Sequence, residues 1–459
     1  MAESNWLKRM VDKKWLKRQA GKVRAVDRID PALYAKYGVK RGLRNGNGSG
    51  VLVGLTTIGN VHGYVMDEGE RKPIPGELYY RGINVKDLVM ADRREHRFGY
   101  EEAAYLLLFG DLPTARELVA WKNRIGACRR LSDGFKENAI LKHPPKDIMN
   151  ALARAVLFAY AFDPEGTPDD LSIEKCLEQS VDLIGSIPTI AAYAYQAKAH
   201  YHDGGPLMIR NPDPAKSTSE NLLMLTRADG RYTRLEAETL DLALILHAEH
   251  GGGNNSSFTT HVVTSSHSDI YSSVAASILS LKGARHGGAN LRVMRQMDEI
   301  KANVKNWAKD AEVARYLELI VDRKAGDGSG LVYGLGHAVY TVSDPRAQLL
   351  KEKARALAKD KRREAEMRLF ESIERLGPAV VKSRHPRAED VCANVDLYSG
   401  FVYDMLGVPR DLYTPLFAVA RCVSWCAHRM EELVNEGPII RPAYKPIYHP
   451  KAYVKLQDR

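Results

Sequence analysis

Apolar positions recur at three- and four-residue spacings along most of the chain, broken by short polar stretches that carry glycine or proline. That period marks helices with a buried face and predicts a predominantly helical protein. EEAAYLLLFG (101–110) reads as a helix closed by Gly110, and Pro113 with Thr114 opens the next, because proline suits a first turn whose amide lacks a partner. LIGSIPTIAAYAYQAKAH (183–200) has the same form, with Pro188 entering an alanine-rich helix. Residues 4–20, with Leu7, Val11 and Trp15 four apart, predict a short amphipathic helix, and charged helix-forming sequence fills 344–376. Only VLVGLTTIGNVHGYV (51–65), after the turn RNGNGSG, has strand character, so any sheet is small. Residues 201–220 form a polar, proline-containing connection. The segment after Gly437 carries four prolines and cannot be a regular helix, so it should lie extended over a surface.

With 459 residues, 44% hydrophobic and 27% charged, the chain can bury a sizeable core. Its length fits several average domains or one large and one smaller. The net charge of +10 suits nucleic acid, a membrane surface or a polyanionic small molecule. No nucleic-acid motif or aromatic interleaving accompanies the charge runs, and no run reaches the roughly 18 apolar residues of a membrane span. Neither partner is expected. Much of the excess lies at Lys8, Arg9, Lys13, Lys14, Lys17 and Arg18 and around Lys351 to Arg363. The basic start invites a transit-peptide reading, but Glu3 and Asp12 interrupt it and serine is scarce, so a cytoplasmic protein is expected. Five cysteines scattered without framework spacing fit a reducing compartment. Cys422 and Cys426 stand four apart near His428, yet their apolar helix reads as core packing and no metal is expected there.

Candidate chemistry concentrates in three blocks that each set histidine beside glycine: HAEHGGGNN (247–255), GARHGGAN (283–290) and GLGHAVYTVSDPR (334–346). Glycine lets a ligand approach the backbone closely, and histidine exchanges protons near neutral pH. LDLALILHAEH halts at Gly251, which puts His247 and His250 in a last helical turn, where the dipole favours a cation. The zinc-protease pattern needs HExxH, and this is HAEH. His286 precedes a helix, whose positive end should keep its imidazole neutral and able to donate to a developing oxyanion. Asp396, in NVDLYSG, has apolar neighbours that would raise its proton affinity, although a capping role reads equally well. Arg421 has Phe417 and Trp425 four residues to either side, so a buried charge needs a partner there: a bound carboxylate or a structural salt bridge.

In this order HAEH, GARHGGAN, GLGHAV with DPR beyond it, NVD, the arginine of LFAVARCVSW and IIRP resemble the citrate synthase family, over roughly residues 75–445. The resemblance implies a mainly α, multi-helical two-domain fold with at most a small β element near the N-terminus. The large domain would comprise 1–284 and 401–459, and the small one, 285–400, would close over the site. Oxaloacetate would be held by His250, Arg346, Arg421 and, from the neighbouring subunit of a homodimer, Arg441, with Asn254 a weaker contact and His247 structural. Asp396 would take the methyl proton of acetyl-CoA, His286 would hold the enol, and His337 would protonate the ketone oxygen. CoA contacts are implied at Leu331, Val332, Gly334, Gly336 and Asn394, and no metal or redox cofactor is needed. Family members often carry lysine or arginine where this chain has Thr341; Lys351, Lys353 and Arg355 are candidate replacements for that phosphate contact. The same motifs fit 2-methylcitrate synthase, which uses propionyl-CoA. A dinucleotide-binding reading of GLGHAV fails for want of the third glycine and a βαβ unit.

Overall fold

The computed structural model describes residues 13–46, 48–68, 70–163, 167–386 and 390–459. The chain divides into two compact units, Met1–Leu55 and Thr56–Arg459.

The first unit holds the helices Lys13–Val26 and Pro31–Lys36 and an isolated bridge between Arg44 and Gly50. Asp30 caps the second helix by accepting the Ala32 amide, and Pro31 occupies its first turn. Leu7 and Val11 of the amphipathic pattern lie outside the described residues. The strand expected from residue 51 does not start there. Residues 51–56 take no regular structure, and Leu52 and Leu55 are 84% and 90% exposed, because β propensity forms a strand only where a neighbouring strand supplies hydrogen bonds.

In the second unit the strands β1 (Gly59–Asp67), β2 (Glu70–Tyr80) and β3 (Ile83–Asn84) form one antiparallel sheet in that order. β1 and β2 pair from Gly59 with Tyr80 to Asp67 with Glu70, with an irregularity between His62 and Tyr64. Beyond it the described residues are helix and loop, apart from an isolated bridge between Leu335 and Ala393. Thr114, Ser217 and Thr233 open helices with capping boxes to Glu117, Glu220 and Glu236, so each start satisfies its own orphan amides. Gly110 closes the helix Tyr100–Phe109 with a left-handed φ of 97°, as expected.

One expectation needs correction. Pro188 opens no helix; it lies inside a single helix spanning Ile173–Asp203. An interior proline loses a hydrogen bond and costs about 3 kcal/mol, which burial of Ile184, Ile187, Ile190, Ala191 and Ala194 around it offsets. The charged stretch 344–376 is two helices, Pro345–Asp360 and Glu364–Arg384, separated where Arg362 takes a φ of 55°. The tail after Gly437 is irregular up to a short turn at Leu456–Asp458, as its prolines require.

The centre is the helix Tyr413–Val434, buried at nearly every position from Tyr413 to Arg429. A helix apolar around most of its circumference is enclosed rather than surface-lying, and it packs against the helices Tyr100–Phe109, Ile173–Asp203, Arg234–His247, Asn255–Thr264 and Ile270–Lys282. Cys422 and Cys426 fill that core. Its burial carries the charged Arg421 and His428 into the interior. Among the described residues no helix is long and apolar enough to cross a membrane.

Candidate active site

The first histidine block sits at the end of the helix Arg234–His247, anchored from the sheet: the Tyr80 hydroxyl on β2 donates to the Ile245 carbonyl at 2.7 Å. The helix stops at His247, and Gly251 turns the chain left-handed with φ 83°, so His250 lies beyond the last turn rather than in it. The third block is joined by backbone pairing to the segment that leads into Asp396. Leu335 bridges Ala393, the Gly336 amide donates to the Cys392 carbonyl at 2.8 Å, and the Asn394 amide donates to the Gly334 carbonyl at 2.9 Å. A Cβ on Gly334 would meet Leu397 at 2.9 Å, and its φ of 87° is left-handed; only glycine allows this approach. Asn394 finishes the join. Its amide nitrogen donates to the Gly336 carbonyl at 2.8 Å, while its oxygen caps the helix Val395–Met405 by accepting the Asp396 amide at 3.0 Å. Capping therefore falls to Asn394, which leaves the Asp396 carboxyl available for chemistry.

Three histidines are neutral. Burial, reinforced by Arg346, holds His247 and His250 well below the usual imidazole range, and the His250 ring stands edge-on to that of His337 at 5.0 Å. The cation that helix-dipole reasoning favoured at His250 is thus not formed, because desolvation and two nearby guanidinium groups outweigh the dipole. Burial and then Arg421 bring His286 down to about 4. His286 is neutral as expected, with those two causes named rather than the helix end. His337 stacks on Tyr340 at 4.7 Å, and its Nδ1 accepts the amides of Val339 at 3.0 Å and Tyr340 at 3.1 Å. An imidazole that accepts at Nδ1 carries its proton on Nε2, so His337 presents a donor.

The charged groups complete the set. Asp344 grips Arg346 through two parallel bonds, Nε to Oδ1 at 3.0 Å and Nη2 to Oδ2 at 2.7 Å, and also accepts the Val395 amide at 3.2 Å. It therefore ties Arg346 to the turn that bears Asp396. Burial raises Asp396 to about 6 against the opposing pull of Arg346. Arg421 is fully buried and stacks on Phe417 at 4.6 Å, and burial lowers it to about 10. Its Nε donates to the His247 carbonyl at 2.9 Å, but Nη1 and Nη2 have no hydrogen-bond partner. No salt bridge accounts for this arginine among the described residues.

Other expected residues are placed as follows. Asn254 caps the helix Asn255–Thr264, and its oxygen also receives the Ser256 hydroxyl at 2.9 Å. Ser256 Oγ is 3.2 Å from His286 Nε2 and receives the Trp425 indole N–H at 3.2 Å. Ser256 and Trp425 were missed, since neither stands beside a histidine in sequence. His247, set aside as structural, has both ring nitrogens buried without a partner. Leu331 is 56% exposed and Val332 buried, on the strip that runs through Gly334 and Gly336 to His337. Lys351, Lys353 and Arg355 pair with Glu374, Glu238 and Glu371, so each already spends its charge within the fold. Arg441 is exposed in the irregular tail and makes no hydrogen bond or ion pair with these groups in its own chain.

A helical protein that gathers three neutral imidazoles, one buried and two half-buried, a half-buried carboxyl near neutrality and a buried arginine with bare amino groups is suited to proton transfer on an anionic substrate. The family model "Citrate synthase, C-terminal domain" matches residues 46–443. A citrate synthase from Haloferax volcanii is 33% identical over 372 residues, 80% of this chain and 88% of its own. A 2-methylcitrate synthase from Shewanella oneidensis is 31% identical, over 80% and 87%. The solved citrate synthase from Pyrobaculum aerophilum superposes with a TM-score of 0.73 at 30% identity, covering 89% of this chain and 94% of that one. The chain belongs to the citrate synthase family, and with it to the transferases.

Proposed function

We propose that this protein condenses acetyl-CoA with oxaloacetate and hydrolyses the resulting citryl-CoA to citrate and CoA. The observation that carries this reading is Arg421: a fully buried guanidinium whose two amino groups lack partners, next to a carboxyl raised to about 6. A dicarboxylate supplies the missing acceptors.

In this reading Arg421, the free edge of Arg346 and His250 hold oxaloacetate, with Asn254 nearby. Asp396 removes a methyl proton from acetyl-CoA, at a pKa close to the operating pH. His286 donates to the enol oxygen, which requires Ser256 to turn its single proton from Asn254 onto His286 Nε2 so that Nδ1 carries hydrogen. The new carbon attacks the ketone while His337 gives its Nε2 proton to the ketone oxygen. Water then cleaves the thioester. CoA lies along Leu331, Val332, Gly334, Gly336 and Asn394, and residues 285–400 close over it as a small domain against 1–284 and 401–459, excluding water. A homodimer supplies Arg441 from the other subunit, which accounts for an exposed arginine that pairs with none of the site groups among the described residues of its own chain. Neither metal nor redox cofactor enters these steps, and the five free thiols fit a cytoplasmic location.

Thiol release with oxaloacetate tests the reading against its nearest relative. Acetyl-CoA should exceed propionyl-CoA in kcat/KM by about 10-fold or more, since one methylene is worth roughly 1–3 kcal/mol in a fitted pocket. The reverse preference would reassign the protein to 2-methylcitrate synthesis, and no thiol release with either would overturn the proposal.

A further inference from the structure

Behind the substrate histidines lies a second cluster that the condensation does not use. His261, His428 and Glu431 bring one ligand atom each within 4.8 Å of the other two. His261 Nε2 and His428 Nδ1 are 3.1 Å apart, and His428 Nδ1 is 3.7 Å from Glu431 Oε2. Two ligands held 2.0–2.2 Å from a tetrahedral ion stand about 3.3 Å apart, so the spacing suits a single small ion.

The orientation of each imidazole points the same way. His428 turns its other nitrogen, Nε2, to Glu249 at 3.2 Å, and His261 turns its Nδ1 to Glu432 at 2.7 Å. A carboxylate on the far nitrogen fixes the tautomer and ring plane of a metal-binding histidine and raises its basicity. Both rings have one. Glu431 supplies the independent sign. Its Oε1 accepts the Thr57 amide at 2.7 Å and hydroxyl at 2.9 Å, whereas Oε2 is buried, makes no hydrogen bond and faces the rings, with His428 Nδ1 at 3.7 Å; the side chain is only 10% exposed. Gly252 roofs the cluster. A Cβ there would come within 3.3 Å of His428 Cε1 and 3.7 Å of His261 Nε2, so the glycine leaves the room a fourth, solvent ligand needs.

We propose that His261, His428 and Glu431 form a binding site for one divalent transition-metal ion of the zinc class. Three carboxylates surround two imidazoles here, Glu249, Glu431 and Glu432, which favours a dication. Imidazole with carboxylate donors suits zinc, copper and nickel rather than magnesium or calcium. The co-ligands of His428 are thus not Cys422 or Cys426, which fill the core, but His261 from the helix Asn255–Thr264 and Glu431 one turn further along its own helix. An ion would also stiffen the substrate loop, because Glu249 accepts the Gly251 amide and the Ser424 hydroxyl as well as His428.

Titration of the chelator-stripped full-length protein with zinc chloride, followed by calorimetry, tests the site. One ion per chain is expected. Glu432→Gln should weaken binding by about 10- to 100-fold through loss of the orienting carboxylate. Glu431→Gln and His261→Asn remove a ligand and should weaken it further. Glu431→Gln keeps an acceptor for Thr57, so it decides the matter if His261→Asn fails to fold. Cobalt substitution should give the visible absorption of a tetrahedral site in the wild type and lose it in Glu431→Gln. Absence of binding to the wild type, or zinc affinity unchanged by both ligand substitutions, would overturn the proposal.

Discussion

Arg421 and His428 lie two turns apart on one buried helix, and their surroundings differ in kind. At Arg421 the polar atoms are left bare: its Nη1 and Nη2, both nitrogens of His247 and Nε2 of His250 have no hydrogen-bond partner. At His428 each ring nitrogen is engaged, and the Glu249 carboxylate raises the imidazole to about 9 against the cost of burial. The same residue type is thus neutral at His250 and charged at His428, and the neighbours alone decide it. Unpartnered buried polar atoms cost free energy that a fold otherwise avoids. Where they converge the missing partner is a ligand; where they are paired the network contributes stability.

The largest effect expected from this contrast is at the base. Asp396→Asn preserves shape and removes the proton acceptor, so turnover should fall about 10²- to 10⁴-fold with oxaloacetate affinity nearly unchanged. Steady-state rates and calorimetry together check it. Next comes a paired substitution. Arg421→Met removes the bare guanidinium, and oxaloacetate binding should weaken at least about 30-fold, from the roughly 2–5 kcal/mol of a buried charge pair, while the ligand-free melting temperature does not fall. His428→Leu does the opposite. It strands Glu249, and unfolding free energy should drop by about 3–5 kcal/mol. If Arg421→Met destabilised the ligand-free protein as much as His428→Leu, the arginine would be structural.

Much of this was legible in the sequence, for physical reasons that differ by element. The helix start at Thr114 read well because its hydroxyl satisfies an amide three residues on, whereas the start at Ser217 lay inside the stretch read as a connection and that at Thr233 went unread. Pro188 misled because its cost is met by contacts from other helices, which no local window contains. Residues 51–56 misled in the opposite sense, carrying β propensity without a partner strand. In the site, His250, His286 and His337 stood out because each stands beside glycine, and Asp396, between Val395 and Leu397, only through motif order. Glu249 and His428 could not be read that way. They are 179 positions apart, and their bond exists only once the segment after His247 packs on the central helix. Ser256 and Trp425 escaped notice for the same reason.

Arg441 offers a sharper test of the bare front. If a neighbouring chain lends it, two inactive variants should rescue each other. In a mixed dimer of Asp396→Asn and Arg441→Ala chains, one site collects both defects and the other receives Asp396 from one chain and Arg441 from its partner. Random pairing makes about half the dimers mixed, so twofold symmetry gives roughly a quarter of wild-type activity. Thiol release after co-refolding measures it, and activity no higher than that of the unmixed proteins would mean that Arg441 acts within its own chain or not at all.

The smallest effect separates the two regions by pH. Asp396 is raised in the native state to about 6 from an ordinary 3.8, chiefly by burial. As a base it must be ionised, so kcat/KM should fall as pH drops through about 6, to roughly half its plateau at that pH. The stability term has the opposite sense. A carboxyl whose native pKa is raised binds its proton more tightly folded than unfolded, so between pH 6 and 4 the native state holds more protons and this group adds stability as pH falls. Subtracting the pH–stability profile of Asp396→Asn from that of the wild type isolates the term. Activity should be lost over the same interval in which the difference profile rises. A limb that survives in kcat/KM while the difference profile stays flat would mean that another group is the base.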